Sequence, residues 1–202
     1  MDQLSNIATQ LGLDPLETLA TLLGLANIVL LVRRSIWNYP FGLAMVALYA
    51  RIFFWEKLYS DALLQLFFFV IQLYGWWAWW RAGGGERKVD VVRLTGPARI
   101  AWIAMIAILG LGWGTMMHLY TDASFPWWDA TVAVSSIAAQ ILLARRCIEN
   151  WVLWIAIDIA SIPLYLIKGL PFTAGLYLAF LALSALGLRE WARAEREARP
   201  GA

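Results

Sequence analysis

Long apolar stretches separated by short polar ones run along almost the whole 202-residue chain. A helix needs roughly 20 apolar residues to cross a hydrocarbon core of about 30 Å. Stretches of about this length predict seven transmembrane helices, over 16–32, 39–55, 61–80, 99–117, 128–144, 151–167 and 172–188. Because little sequence lies outside these spans, no separate soluble domain is expected, and the predicted fold class is an all-α membrane protein.

Composition and charge placement add a topology to this prediction. The chain is 61% hydrophobic and 15% charged, where soluble domains are typically about 45–50% apolar and 25% charged. If the predicted helices alternate in direction, 13 of the 16 Lys and Arg residues fall on one side of the membrane. Since cytoplasmic loops carry the excess of basic residues, we expect the N-terminus outside and the C-terminus in the cytoplasm. No nucleic-acid partner is needed to explain the basic tail, because such clusters set topology and attract anionic lipid.

The chain also matches itself at a single ungapped shift of 112 positions. Chance matches of Leu and Ala are common between membrane helices, but they do not explain shared Arg, Asn, Gly and Trp residues in one register. The matched pairs are Arg33-Arg34 with Arg145-Arg146, Asn38 with Asn150, Leu64 with Leu176, Phe68 with Phe180, Gly75 with Gly187 and Trp79 with Trp191.

Each copy of this repeat holds three predicted helices, so two adjacent copies face the same way only if a fourth helix separates them. The predicted architecture is therefore three plus one plus three, with parallel repeats, and transporters of this kind bind substrate near the midplane between the repeats. The expected segments are an outer N-terminal segment 1–15, a first repeat 16–81, a cytoplasmic linker 82–98, a linking helix 99–117, a second repeat 128–191 and a cytoplasmic tail 192–202. Segment 1–15 lacks the basic start of a cleaved signal peptide, so we expect it to be retained.

Polar and aromatic residues recur inside the predicted helices at spacings of three and four, which places them on one helix face. Unsatisfied polar groups in hydrocarbon are costly, so such residues face a cavity or another helix. The pattern predicts a wet, aromatic-lined interior, although Gln65 and Gln72 could instead bridge helices and Trp154 could be packing. Trp76, Trp77, Trp79 and Trp80 fit an interfacial aromatic belt better than a ligand site.

Asp158 lies about midway along the sixth predicted helix, and no Lys or Arg occupies the middle of any predicted helix. It is either a protonated carboxyl that bridges helices or a group that binds substrate hydroxyls or a positive charge. Nearby Trp and Tyr faces favour a flat cationic ring, and the lack of a buried base disfavours a free phosphate. The expected ligand is small, aromatic, neutral or positive, and hydroxyl-bearing.

Other chemistries find no support in the sequence. There is no phosphate-binding Gly-x-x-x-x-Gly-Lys-Ser/Thr loop, His118 and Cys147 are single residues of their type, and we see no paired acids. We therefore expect neither an enzyme nor a bound metal or cofactor. A single cysteine also excludes an internal disulfide, and a reduced thiol is expected.

Several strings resemble a known family, the nicotinamide riboside transporters called PnuC, over about residues 16–191. These strings are Trp37-Asn38-Tyr39-Pro40-Phe41-Gly42, Leu58-Tyr59-Ser60-Asp61-Ala62-Leu63-Leu64-Gln65, Gln72-Leu73-Tyr74-Gly75-Trp76, Glu149-Asn150-Trp151 and Lys168-Gly169-Leu170.

The resemblance implies a bacterial inner-membrane protein with a helix bundle like that of the sugar transporters called SWEETs, assembled as a homotrimer. It implies facilitated diffusion of nicotinamide riboside, which a separate cytoplasmic kinase would then phosphorylate. Thiamine and riboflavin are alternative substrates, because related members carry them. A proton-coupled carrier using Asp158 and a non-transporting membrane subunit are further hypotheses. The implied substrate contacts are Trp151, Trp154, Asp158, Asn150, Gln65, Gln72 and Asn38, with Tyr165 and Tyr177 as additional candidates.

Overall fold

The structure is a computed structural model that describes residues 15–55, 59–84, 88–122, 124–167 and 171–198, without the side chains of 59–61, 84 and 171–173. Almost all of the predicted outer segment 1–15 lies outside these residues. The described part of the chain contains seven α-helices. They are α1 (Pro15–Val32), α2 (Asn38–Trp55), α3 (Tyr59–Trp79), α4 (Gly96–Tyr120), α5 (Pro126–Ala144), α6 (Glu149–Ile167) and α7 (Pro171–Glu197).

Proline and glycine set several of the helix boundaries. Pro126 stands at the start of α5 and Pro97 in the first turn of α4, where the missing N–H of proline has no intrahelical partner to lose. After α3, a π-helical turn covers Trp80–Gly84, and within it the φ of Gly83, 85°, lies in the left-handed region. Glycine adopts this conformation without a steric penalty, so Gly83 interrupts the helix here.

Five of the described helical stretches are long and apolar enough to cross a membrane: Pro15–Val32, Ala62–Gly83, Gly96–Tyr120, Pro126–Ala144 and Glu149–Ile167. The prediction of an all-α membrane protein is thus confirmed. Seven membrane crossings stay a prediction, because α2 carries Arg51 and α7 continues through several Arg and Glu residues as far as Glu197.

The chain divides into two compact units, Met1–Val89 and Asp90–Ala202. In the first unit, α1 packs on α2 and α2 packs on α3. In the second unit, α4 to α7 pack against one another in chain order. The boundary between the units falls within the segment predicted as a linker.

Both units contain the same unusual turn, at positions 112 residues apart. Arg34 (φ 56°) and Arg146 (φ 62°) are the non-glycine residues with positive φ in the described part of the chain. Just after each turn, an Asn side chain donates a 2.7 Å hydrogen bond back to the turn, from Asn38 to the Ser35 carbonyl and from Asn150 to the Cys147 carbonyl. The Arg and Asn matches of the repeat therefore correspond to one local structure built twice.

The matched aromatic residues also pack alike within each unit. Tyr39 meets Trp79 edge to face at 5.3 Å, and Trp151 meets Trp191 edge to face at 5.7 Å. Trp79 and Trp191 are completely buried. The assignment of Trp79 to an interfacial belt is therefore wrong, because its ring packs against another helix instead of facing lipid headgroups. The neighbouring residues Trp76, Trp77 and Trp80 are exposed.

The segment before α4 is fixed to the second unit by backbone and side-chain bonds. Val92 pairs with the α5–α6 turn, donating its N–H to the Arg146 carbonyl and accepting one from Ile148. Arg93 makes a bidentate ion pair with Glu195 of α7, and this hydrogen-bonded pairing raises the pKa of the guanidinium. Glu149 accepts bonds from the Leu94 N–H and from Arg99.

We expect the Cys147 thiol to react slowly with alkylating reagents in the folded protein. Burial, followed by the nearby Glu149 carboxylate, raises the pKa of this thiol above its usual range. The reactive thiolate is therefore scarcer at neutral pH than for an ordinary cysteine, and the labelling rate should keep rising with pH beyond the point at which that of an ordinary cysteine levels off. Because Cys147 is the single cysteine, N-ethylmaleimide labelling can be timed directly in folded and detergent-unfolded protein. We expect labelling of the folded protein to be roughly tenfold slower or more than labelling of the unfolded protein. Equal rates would contradict a buried thiol.

Candidate functional site

A buried acid lies between two helices of the second unit. Asp158 is halfway along α6 and only 3% exposed. Its Oδ2 accepts a 3.1 Å hydrogen bond from the hydroxyl of Ser184 on α7, which is also buried. One carboxylate oxygen is thus held by the protein, and further acceptor positions of the carboxylate are left for other donors.

Aromatic rings form a wall beside this acid. Tyr165 of α6 and Tyr177 of α7 stack with their ring centroids 5.1 Å apart, and Phe180 meets Tyr177 edge to face at 5.9 Å. The Tyr177 hydroxyl lies beside Tyr165, Asp158 and the fully buried Ser161. The structure therefore brings together Asp158, Tyr165 and Tyr177, three of the predicted site residues, within one pair of helices.

No described Lys or Arg of the second unit shares this position along the helices. The basic residues lie in loops, in the first turn of α4, or at the C-terminal end of α7 from Arg189 onward. A buried acid without a basic partner is costly in a low-dielectric interior unless it is protonated or binds a ligand. A carboxylate beside aromatic rings is suited to bind a ligand that is cationic or rich in hydroxyl groups.

Trp151 and Asn150 lie at the start of α6, where they also have structural roles. Trp151 is 2% exposed and packs on Trp191, about 10 Å along the helix axis from Asp158. The indole Nε1 of Trp151 and Oδ1 of Asn150 are buried and have no described hydrogen-bond partner. Such atoms need a water or a ligand. Trp154 is half-buried and, four residues before Asp158, shares its helix face.

Two predicted site residues of the first unit, Gln72 and Asn38, lie in a polar cluster together with Asn27. The Gln72 carboxamide, buried on α3, presses against the backbone of Gly42 on α2, and the Asn27 carboxamide of α1 approaches the same point. Asn27 also donates a 2.7 Å bond to the Asn38 carbonyl. Gln72 thus lies where α2 and α3 meet, and its two alternatives, a substrate contact or a bridge between helices, both stay predictions. Gln65, seven residues earlier on α3, is half-buried.

Comparison with known proteins identifies the family. The model of the nicotinamide mononucleotide transporter family matches residues 14–193. The chain belongs to this family. It is therefore a member of a transporter family, which confirms the predictions of a transporter and of PnuC-like relatives.

Three similar proteins place this member within the nicotinamide mononucleotide transporter family. The nicotinamide riboside transporter PnuC of Escherichia coli is 31% identical over 90% of this chain and 87% of its own length. The riboflavin/roseoflavin transporter RibM of Streptomyces davaonensis is also 31% identical, over 91% of this chain and 88% of its own. The crystal structure of a vitamin B3 transporter PnuC superposes with a TM-score of 0.73 at 26% identity, covering 90% of this chain and 82% of that one.

Sequence reasoning missed Asn27 and Gly42 in this member of the nicotinamide mononucleotide transporter family. Asn27 is a polar residue inside an apolar helix, and that signal alone would have marked it. Gly42 gives no such signal, since its role follows from the approach of the Gln72 carboxamide from another helix. At Gly42 an added Cβ would come within 2.6 Å of the Asn27 amide nitrogen, so a larger residue there would displace the Asn27 and Gln72 carboxamides.

Proposed function

We propose that this chain carries nicotinamide riboside across the bacterial inner membrane by facilitated diffusion. The observation that carries the proposal is the buried Asp158, which has no described basic partner and lies beside stacked Tyr rings. Nicotinamide riboside has a pyridinium cation and ribose hydroxyls. A carboxylate and aromatic faces complement both features. The similarity to transporters named for this substrate supports the same choice.

Asp158 and the residues at the start of α6 have specific roles in this proposal. Asp158 and Ser184 bond ribose hydroxyls, and the Asp158 charge attracts the pyridinium ring. The open hydrogen-bonding atoms of Asn150 and Trp151 provide further contacts at the start of α6. The complete set of proposed substrate-binding residues is Trp151, Trp154, Asp158, Asn150, Gln65, Gln72, Asn38, Tyr165 and Tyr177.

The nucleoside suits this protein better than the nucleotide for which the family is described. A phosphate group binds tightly where Arg or Lys donors converge on it, and Asp158 would repel it. A competition assay with nicotinamide riboside, nicotinamide mononucleotide, thiamine and riboflavin decides the substrate. We expect the riboside to compete at least tenfold better than its phosphate. Riboflavin is the second candidate, because RibM is as similar to this chain as PnuC is.

We propose a three-plus-one-plus-three architecture with parallel repeats, as in SWEETs, and alternating access. The supporting observations are the paired turns at Arg34 and Arg146 and the paired aromatic contacts, all at a spacing of 112 residues. The proposed orientation, with the N-terminus outside and the C-terminus in the cytoplasm, rests on the basic loops. A homotrimer is proposed from the resemblance, and the mass of the solubilised assembly tests it.

Transport itself is tested with labelled nicotinamide riboside and proteoliposomes that carry no ion gradient. A uniporter equilibrates the label without accumulating it, faster than protein-free vesicles do. Flux no greater than in protein-free vesicles would exclude the proposal. Accumulation that appears only with a proton gradient would instead favour the proton-coupled carrier.

A further inference from the structure

An apolar groove lies on the surface of the first unit, at the start of α2 and the end of α3. It has a volume of about 510 Å³ and is open to the surroundings. Trp37 and Trp80, at 65% and 68% exposure, are its most accessible aromatic residues. The lining consists entirely of apolar and aromatic side chains: Ile36, Trp37, Pro40, Leu73, Trp76, Trp77 and Trp80.

A positively charged side chain, that of Arg81, lies at the end of this groove. The Arg81 guanidinium lies 5.0 Å from the centre of the Trp77 ring. Trp77, Trp80 and Arg81 together line a smaller adjoining cavity. Among the residues that the structure describes, no carboxylate pairs with Arg81, whereas Arg93 and Arg193 each have a Glu partner. The positive charge next to the apolar groove is thus available to an anion.

The length of the groove fits the part of an acyl chain nearest to the headgroup. From Leu73 to Trp80 the helix advances about 10 Å, and one leaflet contributes roughly 15 Å to the hydrocarbon core. Tryptophan is enriched at the level of the lipid headgroups, and Arg81 follows directly after Trp80 at the polar end. An acyl chain along the groove would therefore bring its phosphate to the guanidinium.

We propose that this groove binds an anionic phospholipid, with the acyl chain along α3 and the phosphate at Arg81. The second unit does not repeat these features. At the positions 112 residues further on, Trp77 is replaced by Arg189 and Trp80 by Ala192. Arg193 stands in the place of Arg81, and Glu197 pairs with it at 2.8 Å. Arg193 is thus a matched control, an exposed Arg at the same point of the repeat but without equivalents of Trp77 and Trp80.

Native mass spectrometry of the purified full chain tests the site, with phosphatidylglycerol and phosphatidylcholine of equal chain length supplied in equal amounts. We expect wild type to retain phosphatidylglycerol preferentially. Arg81→Gln should reduce this preference about fivefold, the effect expected of one Arg near an anionic lipid surface. Arg81→Lys should keep most of it, and Arg193→Gln should leave it unchanged. Equal retention of both lipids by wild type, or equal losses in the Gln variants of Arg81 and Arg193, would overturn the proposal.

A second measurement needs no variant. Phosphatidylglycerol that carries a photoreactive group on its acyl chain, close to the headgroup, should label wild-type peptides that contain Trp37 or Leu73–Trp80. Labelling confined to other peptides would refute the proposed site. A second copy of the chain is the competing occupant. If Trp80→Ser lowered the mass of the solubilised assembly while the lipid preference stayed at its wild-type value, the groove would be a contact between copies.

Discussion

Asp158→Asn is expected to lower nicotinamide riboside uptake into proteoliposomes by about ten- to a hundredfold. A hydrogen bond to a charged group contributes about 1.5–3 kcal/mol, and each 1.4 kcal/mol is a factor of ten in binding. Asparagine has nearly the same size and still accepts a bond from Ser184, so packing around α6 should change little. The loss therefore reports the charge of Asp158 and not its volume.

Asp122→Asn provides the control, because Asp122 is an exposed carboxylate in the turn after α4. Nicotinamide riboside uptake by the Asp122→Asn variant should equal that of wild type. Ser184→Ala should give an intermediate loss, since it removes a neutral donor to the same carboxylate. Wild-type uptake by Asp158→Asn would show that the cation and the hydroxyls are recognised elsewhere. Loss of concentrative uptake with intact exchange would instead identify Asp158 as a proton-coupling residue.

The sequence predicts most of the helices because crossing a bilayer imposes a length and an apolar composition that few other structures require. It also predicts that Asp158 and Tyr165 share one helix face, since helical spacing alone decides which residues do so. The repeat register further indicates that Tyr39 and Trp151 occupy equivalent positions. Each of these predictions rests either on residues close together in the sequence or on a pattern that occurs in both repeats.

Other contacts depend on how separate helices approach one another, which local spacing does not encode. Trp79 stands among exposed Trp residues and looks like part of an interfacial belt, yet it is fully buried against Tyr39. Gly42 becomes important only because Gln72 reaches it from α3. The bidentate Arg93–Glu195 pair joins residues 102 positions apart, and nothing in either neighbourhood indicates the other.

Gly187→Ala is expected to lower the apparent Tm of the solubilised protein, and Gly75→Ala should do the same. A Cβ at Gly187 would lie 2.5–2.6 Å from three ring atoms of Trp151, and one at Gly75 would lie 2.6 Å from the hydroxyl oxygen and 2.8–2.9 Å from two ring atoms of Tyr39. These rings are buried, so neither can swing aside without disturbing its packing. Overpacking of this kind costs about 1–3 kcal/mol, which corresponds to a decrease of several degrees in a protein of this size.

The same substitution at an unobstructed glycine separates this clash from the helix preference of alanine. Gly175 lies on the same helix as Gly187, and Gly112 lies on α4; an added Cβ meets no other group within 4 Å at either position. Alanine there should leave the Tm unchanged or raise it, because it favours helix over glycine by up to about 1 kcal/mol. Comparable decreases for Gly75→Ala and Gly187→Ala would mean that each unit depends on the same contact between a glycine and an aromatic ring. If Gly187→Ala were as stable as Gly175→Ala, Trp151 would have room to move, and its burial would reflect a binding surface more than fixed packing.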